Sequence, residues 1–323
     1  MKEINFFDFD LDLIPEDRWK HIFDAFKEKI QTLKNNVKKI IESYNLLSNV
    51  GNLLYGLISE SKVLHYQELA YIAKRMDLSI FEVLLLQLTY EISCACTTAI
   101  VKIGDKKFFL RTMDWPMNFL KDITIGLRII KNNRIIAKVT TWVGYIGFLT
   151  ATDVINNCTY AVNYRRTTNM HIINIIKNLV RTLNMNWPIG YLIRFIIEIN
   201  MDINKAIELL SAAQLISPCY ITIYAPNNES CILTRDFDKL DNIRYNNLIQ
   251  TNCDCDKIEP NILWSLERIA LIKKIHWQLS NNKNKCHLSS EKILNSFLKE
   301  PVLNEQTIYV HYQYDDEFKT IVY

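Results

Sequence analysis

Ser93-Cys94-Ala95-Cys96-Thr97-Thr98-Ala99-Ile100-Val101 and, ten residues on, Arg111-Thr112-Met113-Asp114-Trp115 decide how this chain is read. The first run carries a thiol at the head of a β-branched, apolar stretch. Gly104-Asp105-Lys106 forms a tight turn, and Lys107 to Arg111 makes the return strand. Two such runs joined by a short Gly/Asp turn predict a β-hairpin. The hairpin gathers Cys96, Arg111 and Asp114, placing a thiol, a fixed cation and a carboxylate in one small space. A thiol is a nucleophile only where a base or a positive environment favours its thiolate. An Asp beside an Arg stays ionised and can orient an ammonium group or hold a proton donor. None of the histidines (His21, His65, His171, His276, His287 and His311) lies near this stretch. A Cys–His dyad therefore has no local support, although a distant histidine stays open. An N-terminal amine, released by cutting the chain before Cys96, is the other way to activate the thiol. On the residues alone, a buried structural cysteine at a strand start is the commoner role.

Upstream, residues 4–14 alternate apolar side chains with Asp, which suits an edge strand. Pro15-Glu16-Asp17 then opens a helix that runs on towards Tyr44, with Pro in the first turn and acids at the positive end of the dipole. Residues 65–75 are helical, and Ser79 with Glu82 forms a capping box for a helix over 80–90. Strands are expected at 96–103, 107–111, 123–130, 134–142, 145–150 and 158–164, with Asn132-Asn133 as a hairpin turn. Helices follow at 171–183, 187–199 and 203–213, then strands at 219–225, 230–234 and 247–252. Helices over 261–279 and 289–299 and a last hairpin of 309–314 with 318–322 complete the chain. Strands and helices in blocks predict an α+β layered fold, not a doubly wound parallel sheet.

The 323 residues are 49% hydrophobic with a formal charge of +3, enough for a large core and too little charge for a nucleic-acid footprint. The opening residues lack a signal-peptide pattern, and no apolar run reaches the twenty or so residues of a membrane span. The eight cysteines are spread along the chain and are expected to be reduced thiols, which makes a cytoplasmic protein the default.

Cys96-Thr97-Thr98-Ala99-Ile100-Val101, Arg111-Thr112-Met113-Asp114-Trp115 and the run Trp142–Thr150 resemble the β-subunit start of the acid ceramidase and N-acylethanolamine acid amidase family. Its members are N-terminal-nucleophile (Ntn) cysteine hydrolases related to choloylglycine hydrolases and penicillin V acylase. Leu11–Trp19 is similar to the family's α-subunit opening. Trp187–Glu198, Ile232–Asp236, Ile249–Asn252 and Pro301–Asn304 are similar to later segments in the same order. The resemblance implies an Ntn-hydrolase αββα sandwich, with residues 1–95 as a helical α-subunit region and 96–323 as the β-subunit domain. Autocleavage of Ala95–Cys96 would leave an α/β heterodimer from one precursor. Cys96 matches the nucleophile, whose new α-amine is the general base. Asp114 matches the carboxylate that holds that amine, and Arg111 the arginine flanking the nucleophile. Asn252 matches the oxyanion-hole amide, Asn163 a second residue near that hole, and Arg268 a late arginine that braces the carboxylate.

The activity so implied is hydrolysis of a fatty-acyl amide, of the N-acylethanolamine or ceramide type, through an acyl-thioester on Cys96, with no cofactor. A bile-acid or penicillin-type acylase, an acyltransferase, and an uncleaved lipid- or membrane-binding protein on the same scaffold are the alternatives. The resemblance also suggests peripheral membrane contact through the apolar stretches Leu53–Ile58 and Trp187–Ile197; burial is the competing reading of the second, a helix apolar nearly all round. Two departures stand out. Tyr164 occupies the position of a family Glu that is a candidate for acid-promoted maturation. The family's leader and disulfide partners are missing too, which points away from a lysosomal setting. Cys253-Asp254-Cys255 with Cys286-His287 lacks the usual zinc-ligand spacing, and no metal is expected.

Overall fold

The computed structural model describes residues 2–43, 59–91, 94–165, 171–254, 264–281, 288–314 and 317–323. Two short strands, Lys2–Glu3 (β1) and Phe6–Asp10 (β2), precede helices Pro15–Ala25 (α1), Lys27–Ser43 (α2), Tyr66–Met76 (α3) and Ile80–Leu88 (α4). The Pro15 helix begins as the sequence predicts, but the continuous helix expected towards Tyr44 breaks at Phe26, between α1 and α2. Ser79 and Glu82 form the predicted capping box at α4 through reciprocal side-chain and backbone bonds.

The hairpin comes next. Ala95–Ile103 (β3) and Lys106–Asp114 (β4) pair antiparallel around Gly104-Asp105, with Cys96 opposite Met113 and Thr98 opposite Arg111. Gly104 takes a φ of +65°, which a tight two-residue turn requires. Then follow Thr124–Lys131 (β5), Arg134–Trp142 (β6), Thr150–Asp153 (β7) and Cys158–Tyr164 (β8). Asn132 and Asn133, both at positive φ, form the expected β5–β6 turn. Helices His171–Leu183 (α5), Ile189–Glu198 (α6) and Ile203–Ala212 (α7) lead to Cys219–Tyr224 (β9), Cys231–Arg235 (β10), Leu240–Arg244 (β11) and Ile249–Gln250 (β12). Ser265–Ser280 (α8), Ser290–Phe297 (α9), Thr307–Tyr314 (β13) and Glu317–Val322 (β14) complete the described chain.

Two elements differ from expectation. The apolar run 145–150 is not a strand up to Thr150. Gly144, at a φ of +82°, turns the chain, and Gly147 then packs backbone to backbone against Gly190 of α6, where a side chain would not fit. Strand β11, with its polar Leu-Asp-Asn-Ile-Arg sequence, has no apolar alternation and was not expected.

The strands form two sheets, in the orders β1-β14-β13-β4-β3-β12 and β11-β10-β9-β8-β7-β6-β5-β2. Strand β2 pairs parallel with β5, and β2 is an edge strand as its alternation predicts. Period-2 side-chain alternation assigns each strand two faces. On β3, Ala99, Val101 and Ile103 pack with Phe108 and Leu110 of β4 against Ile272, Ile275, Ile293 and Phe297 of α8 and α9. The opposite face meets the second sheet through polar contacts: Thr98 with Thr222 at 2.9 Å, Thr150 with Tyr309 at 2.8 Å and Thr140 with Thr320 at 2.8 Å. Helices α1, α3, α4 and α6 share the large core on the far side of the second sheet. The result is the αββα sandwich. Residues before Cys96 are not purely helical, since β1 joins one sheet and β2 the other.

The helix around Trp187–Ile197 departs from the membrane-contact expectation. Ile189, Tyr191, Leu192, Ile193, Ile196 and Ile197 are fully buried within the chain. Arg194 on the same helix donates to Glu68 through both terminal nitrogens, at 2.9 and 2.5 Å, and to Glu198 at 2.6 Å. The helix is thus pinned inward against α3 by a buried ion cluster that also includes Arg18 and Trp19. Leu53–Ile58 lies outside the described residues. Among the described residues no helix is long and apolar enough to cross a membrane.

Candidate active site

Because Cys96, Arg111 and Met113 share the inter-sheet face of the hairpin, their side chains meet there. Arg111 Nη2 lies 3.5 Å from Cys96 Sγ, and Met113 Sδ lies 3.7 Å from it. Arg111 Nη1 crosses to the second sheet and donates to Asn163 Oδ1 at 3.0 Å. The Asn163 amide donates to the carbonyl of Gln250 at 3.0 Å, tying β8 to the β12 end. That places Asn252 directly beside the Cys96 backbone: Cys96 N–H donates to Asn252 Oδ1 at 2.9 Å. The other end of the Asn252 amide donates to the carbonyls of Tyr164 (2.8 Å) and Cys94 (3.3 Å).

Asp114 sits on the other face of the hairpin, opposite Ala95. It accepts from Thr307 Oγ1 at 2.7 Å and from Thr112 Oγ1 at 3.3 Å. Arg268, reaching in from α8, joins the two faces. Its Nη1 is 3.7 Å from Asp114 and donates to the Cys96 carbonyl at 2.7 Å and to Thr97 Oγ1 at 2.9 Å. Its Nη2 donates to Asn252 Oδ1 at 3.0 Å and to Ser265 Oγ at 3.1 Å. All six residues singled out in the sequence (Cys96, Arg111, Asp114, Asn163, Asn252 and Arg268) are therefore brought together and buried. In the intact chain, the bond from the Cys96 nitrogen goes to Asn252, whereas Asp114 is engaged by Thr307, Thr112 and Arg268.

Sequence reasoning missed residues from the segment ahead of Cys96. Tyr90 places its hydroxyl 3.7 Å from Cys96 Sγ while donating to the Val162 carbonyl, and Cys94 places its sulfur 3.9 Å from the same atom. The C-x-C spacing was the only visible signal for Cys94. Tyr90 and Ser265 had none.

Electrostatics follow from this packing. Burial works to raise the Cys96 pKa, but hydrogen bonding from Cys94 and the charges of Arg111 and Arg268 bring it below the ordinary thiol value. Burial, reinforced by the neighbouring Cys96, pushes the Cys94 thiol up. Burial also raises Asp114 to about 6, with Arg268 and Thr307 pulling the other way. Among the described residues, the side-chain partners of Cys96 Sγ are Tyr90, Cys94, Arg111 and Met113, none of them a histidine. No group of three or more metal-ligating side chains occurs among the described residues; Cys255, Cys286 and His287 lie outside them.

Beside the site lies an apolar cavity of about 60 Å³, lined by Leu33, Val37, Met76, Trp115, Trp142 and Tyr145 among others. Trp115 packs edge-on against Tyr90 at 6.0 Å, so Tyr90 and Trp115 lie between Cys96 and the cavity.

Comparison with known proteins gives the same lineage. A family model described as the beta subunit of N-acylethanolamine-hydrolyzing acid amidase matches residues 2–59, part of the segment termed α-subunit above. Human acid ceramidase is 26% identical over 328 residues, covering 93% of this chain and 80% of the human protein. The chain belongs to the acid ceramidase and N-acylethanolamine acid amidase family. An uncharacterized protein of Acanthamoeba polyphaga mimivirus is 45% identical over 312 residues, 96% of each chain. Among solved structures, a Caenorhabditis elegans N-acylethanolamine-hydrolyzing acid amidase ortholog superposes with a TM-score of 0.55 at 21% identity, covering 68% of this chain and 92% of that one. This likeness carries the fold, an Ntn-hydrolase sandwich.

Proposed function

We infer that the protein is an amide hydrolase acting on fatty-acyl amides through Cys96 after cleavage of its own Ala95–Cys96 bond. The observation that carries the reading is a nucleophilic sulfur held by a buried arginine, with its backbone nitrogen on the Asn252 amide and no histidine among its partners. Such a thiol lacks a side-chain base. Its own α-amine, once free, would supply one. The amine would take the thiol proton as sulfur attacks the substrate carbonyl, and pass it to the leaving amine as the acyl-thioester forms. Water would then hydrolyse the thioester, the α-amine again acting as base.

Asn252 is suited to the developing oxyanion for a specific reason. One of its two amide N–H groups is occupied by the Cys94 carbonyl, which belongs to the end that cleavage would sever. Departure of that end would leave a preorganised donor beside Cys96. Arg268 would brace Asn252 and Asp114, and Asp114 would take over the freed amine. The burial of Cys96 and Cys94 in the intact chain fits a precursor whose own segment covers the nucleophile.

The acyl-amide class rests on the family and on the apolar cavity reached through Tyr90 and Trp115. A lipid tail larger than about two or three methylenes needs the cavity walls to part, and α2 supplies Leu33 and Val37 on one side. The test is turnover of long-chain N-acylethanolamines and ceramides by the cleaved protein, compared with cholyl and phenoxyacetyl amides. Faster release of amine from the long-chain substrates is expected. Preference for the cholyl or phenoxyacetyl amides would overturn the substrate class. Lipid binding without turnover of any amide would overturn the enzymatic reading.

A further inference from the structure

Self-cleavage poses a problem that later turnover does not. While the Ala95–Cys96 bond is intact, the Cys96 nitrogen is an amide, its N–H is committed to Asn252 Oδ1, and no α-amine exists to help the thiol ionise. The help must come from groups that touch Cys96 Sγ in the uncut chain. Met113 carries no exchangeable proton. Arg111 supplies positive charge from 3.5 Å. The Tyr90 hydroxyl has one proton, and it is directed to the Val162 carbonyl. Cys94 remains, its sulfur 3.9 Å from Cys96 Sγ and equally 3.9 Å from the Tyr90 carbonyl. Its S–H therefore has two acceptors at one distance and can turn from the carbonyl to the neighbouring sulfur once that sulfur carries charge. A neighbouring thiol that donates to a thiolate favours the charged form, as in paired-cysteine motifs.

We propose that Cys94 is a positioning residue for self-cleavage, its thiol holding the Cys96 thiolate while the chain is intact and giving up that role when the bond is cut. This rests on the Ala95–Cys96 cleavage proposed above. The step balances as follows. Cys96 gives its thiol proton to a water molecule admitted to the buried site, and the Cys94 S–H donates a hydrogen bond to the resulting thiolate without being transferred. The sulfur attacks the Ala95 carbonyl carbon, a C–S bond forms, and the Ala95–Cys96 C–N bond breaks. The departing nitrogen takes one proton from water and becomes the α-amine. A water molecule then hydrolyses the Ala95 thioester, leaving a carboxylic acid on Ala95 and restoring the Cys96 thiol.

Cys94 and the α-amine would thus act in succession. The thiol lies on the N-terminal side of the scissile bond and the amine on the C-terminal side, and the cut that creates the second releases the first. On the N-terminal side of that bond, Cys94 would serve maturation and have no part in substrate turnover. Arg111, anchored on Asn163, and Arg268, anchored on Ser265, are held by groups outside the severed end.

The experiment follows cleavage and turnover separately in the full-length parent, Cys94→Ala and Cys94→Ser. Cleavage is timed by intact mass from freshly purified chain, and amine release is normalised to the cleaved fraction. Cys94→Ala is expected to cleave at least ten-fold more slowly, and Cys94→Ser, which restores a donor, to recover most of that loss. Turnover per cleaved molecule should agree within two-fold for all three. A cleaving parent matched in rate by Cys94→Ala would overturn this role alone, as would a fall in turnover per cleaved molecule that tracks the fall in cleavage. A parent that never cleaves would overturn both this role and the cleavage reading. The serine variant, which nearly conserves volume, keeps the comparison decisive if the alanine variant folds poorly.

Discussion

Glu68→Gln, made in a Cys96→Ala chain so that cleavage cannot complicate unfolding, removes one charge from the buried cluster joining α3 to α6. Glu68 is 1% exposed and receives Arg18 at 3.0 Å, Trp19 at 2.8 Å and Arg194 at 2.5 and 2.9 Å. Burial works to raise its pKa, but the charge and hydrogen bonds of Arg194 outweigh that and hold it at about 2 instead of 4.5. At about 1.4 kcal/mol per pH unit, the difference corresponds to roughly 3 kcal/mol of folding stability at neutral pH. Breaking a buried pair by removing one partner costs about 3–5 kcal/mol, which agrees. For 323 residues the unfolding entropy is about 0.7 kcal/mol/K, so the melting temperature should fall by about 4–7 °C at pH 7.

The sign with pH is fixed by the depressed pKa. Glu68 contributes fully above its unfolded value of 4.5, and the contribution is lost as pH falls towards 2. At pH 3 less than half remains. Thermal unfolding followed by far-ultraviolet circular dichroism, at pH 7 and at pH 3, measures both values. Equal melting temperatures at pH 7, or a gap that does not shrink at pH 3, would refute the reasoning.

Glu91 shows the opposite sign: burial, only partly offset by the bond from Ile189 N–H, raises its carboxyl to about 8. Its stabilising effect is present below the unfolded pKa of 4.5 and is lost as pH rises through 8, so Glu91→Gln should melt higher than the parent at pH 8.5 and close to it at pH 5; parallel curves would count against this. Thr307→Val removes the 2.7 Å hydrogen bond to Asp114 and should raise that carboxyl further above about 6. The acid limb of amide turnover by the cleaved protein should then move up by about one pH unit, and an unmoved limb would show that Asp114 does not control it.

How much of this was legible varies by residue. The sequence reading brought Cys96 and Arg111 together through a turn at Gly104-Asp105-Lys106; in the structure the turn is the two residues Gly104-Asp105, and that register with period 2 puts both side chains on one face. The same period puts Asp114 on the other face, which the sequence reading did not resolve. Arg268, which only the family resemblance singled out, lands against Asn252 and within 3.7 Å of Asp114. The inward pinning of α6 was not readable, since Arg194 finds its partner Glu68 126 residues away. Nor was the loop before β7, where the backbone of Gly147 meets that of Gly190 and no local pattern signals it. Local periodicity fixes which residues share a face. It does not fix which distant charge or backbone that face will meet.

Whether Cys96 becomes a chain terminus decides the account most directly. Intact mass and N-terminal sequencing of the purified parent and of Cys96→Ala measure it. The account predicts a large fragment beginning at Cys96 in the parent and an uncut chain in Cys96→Ala. A parent that stays uncut while hydrolysing acyl amides would contradict it.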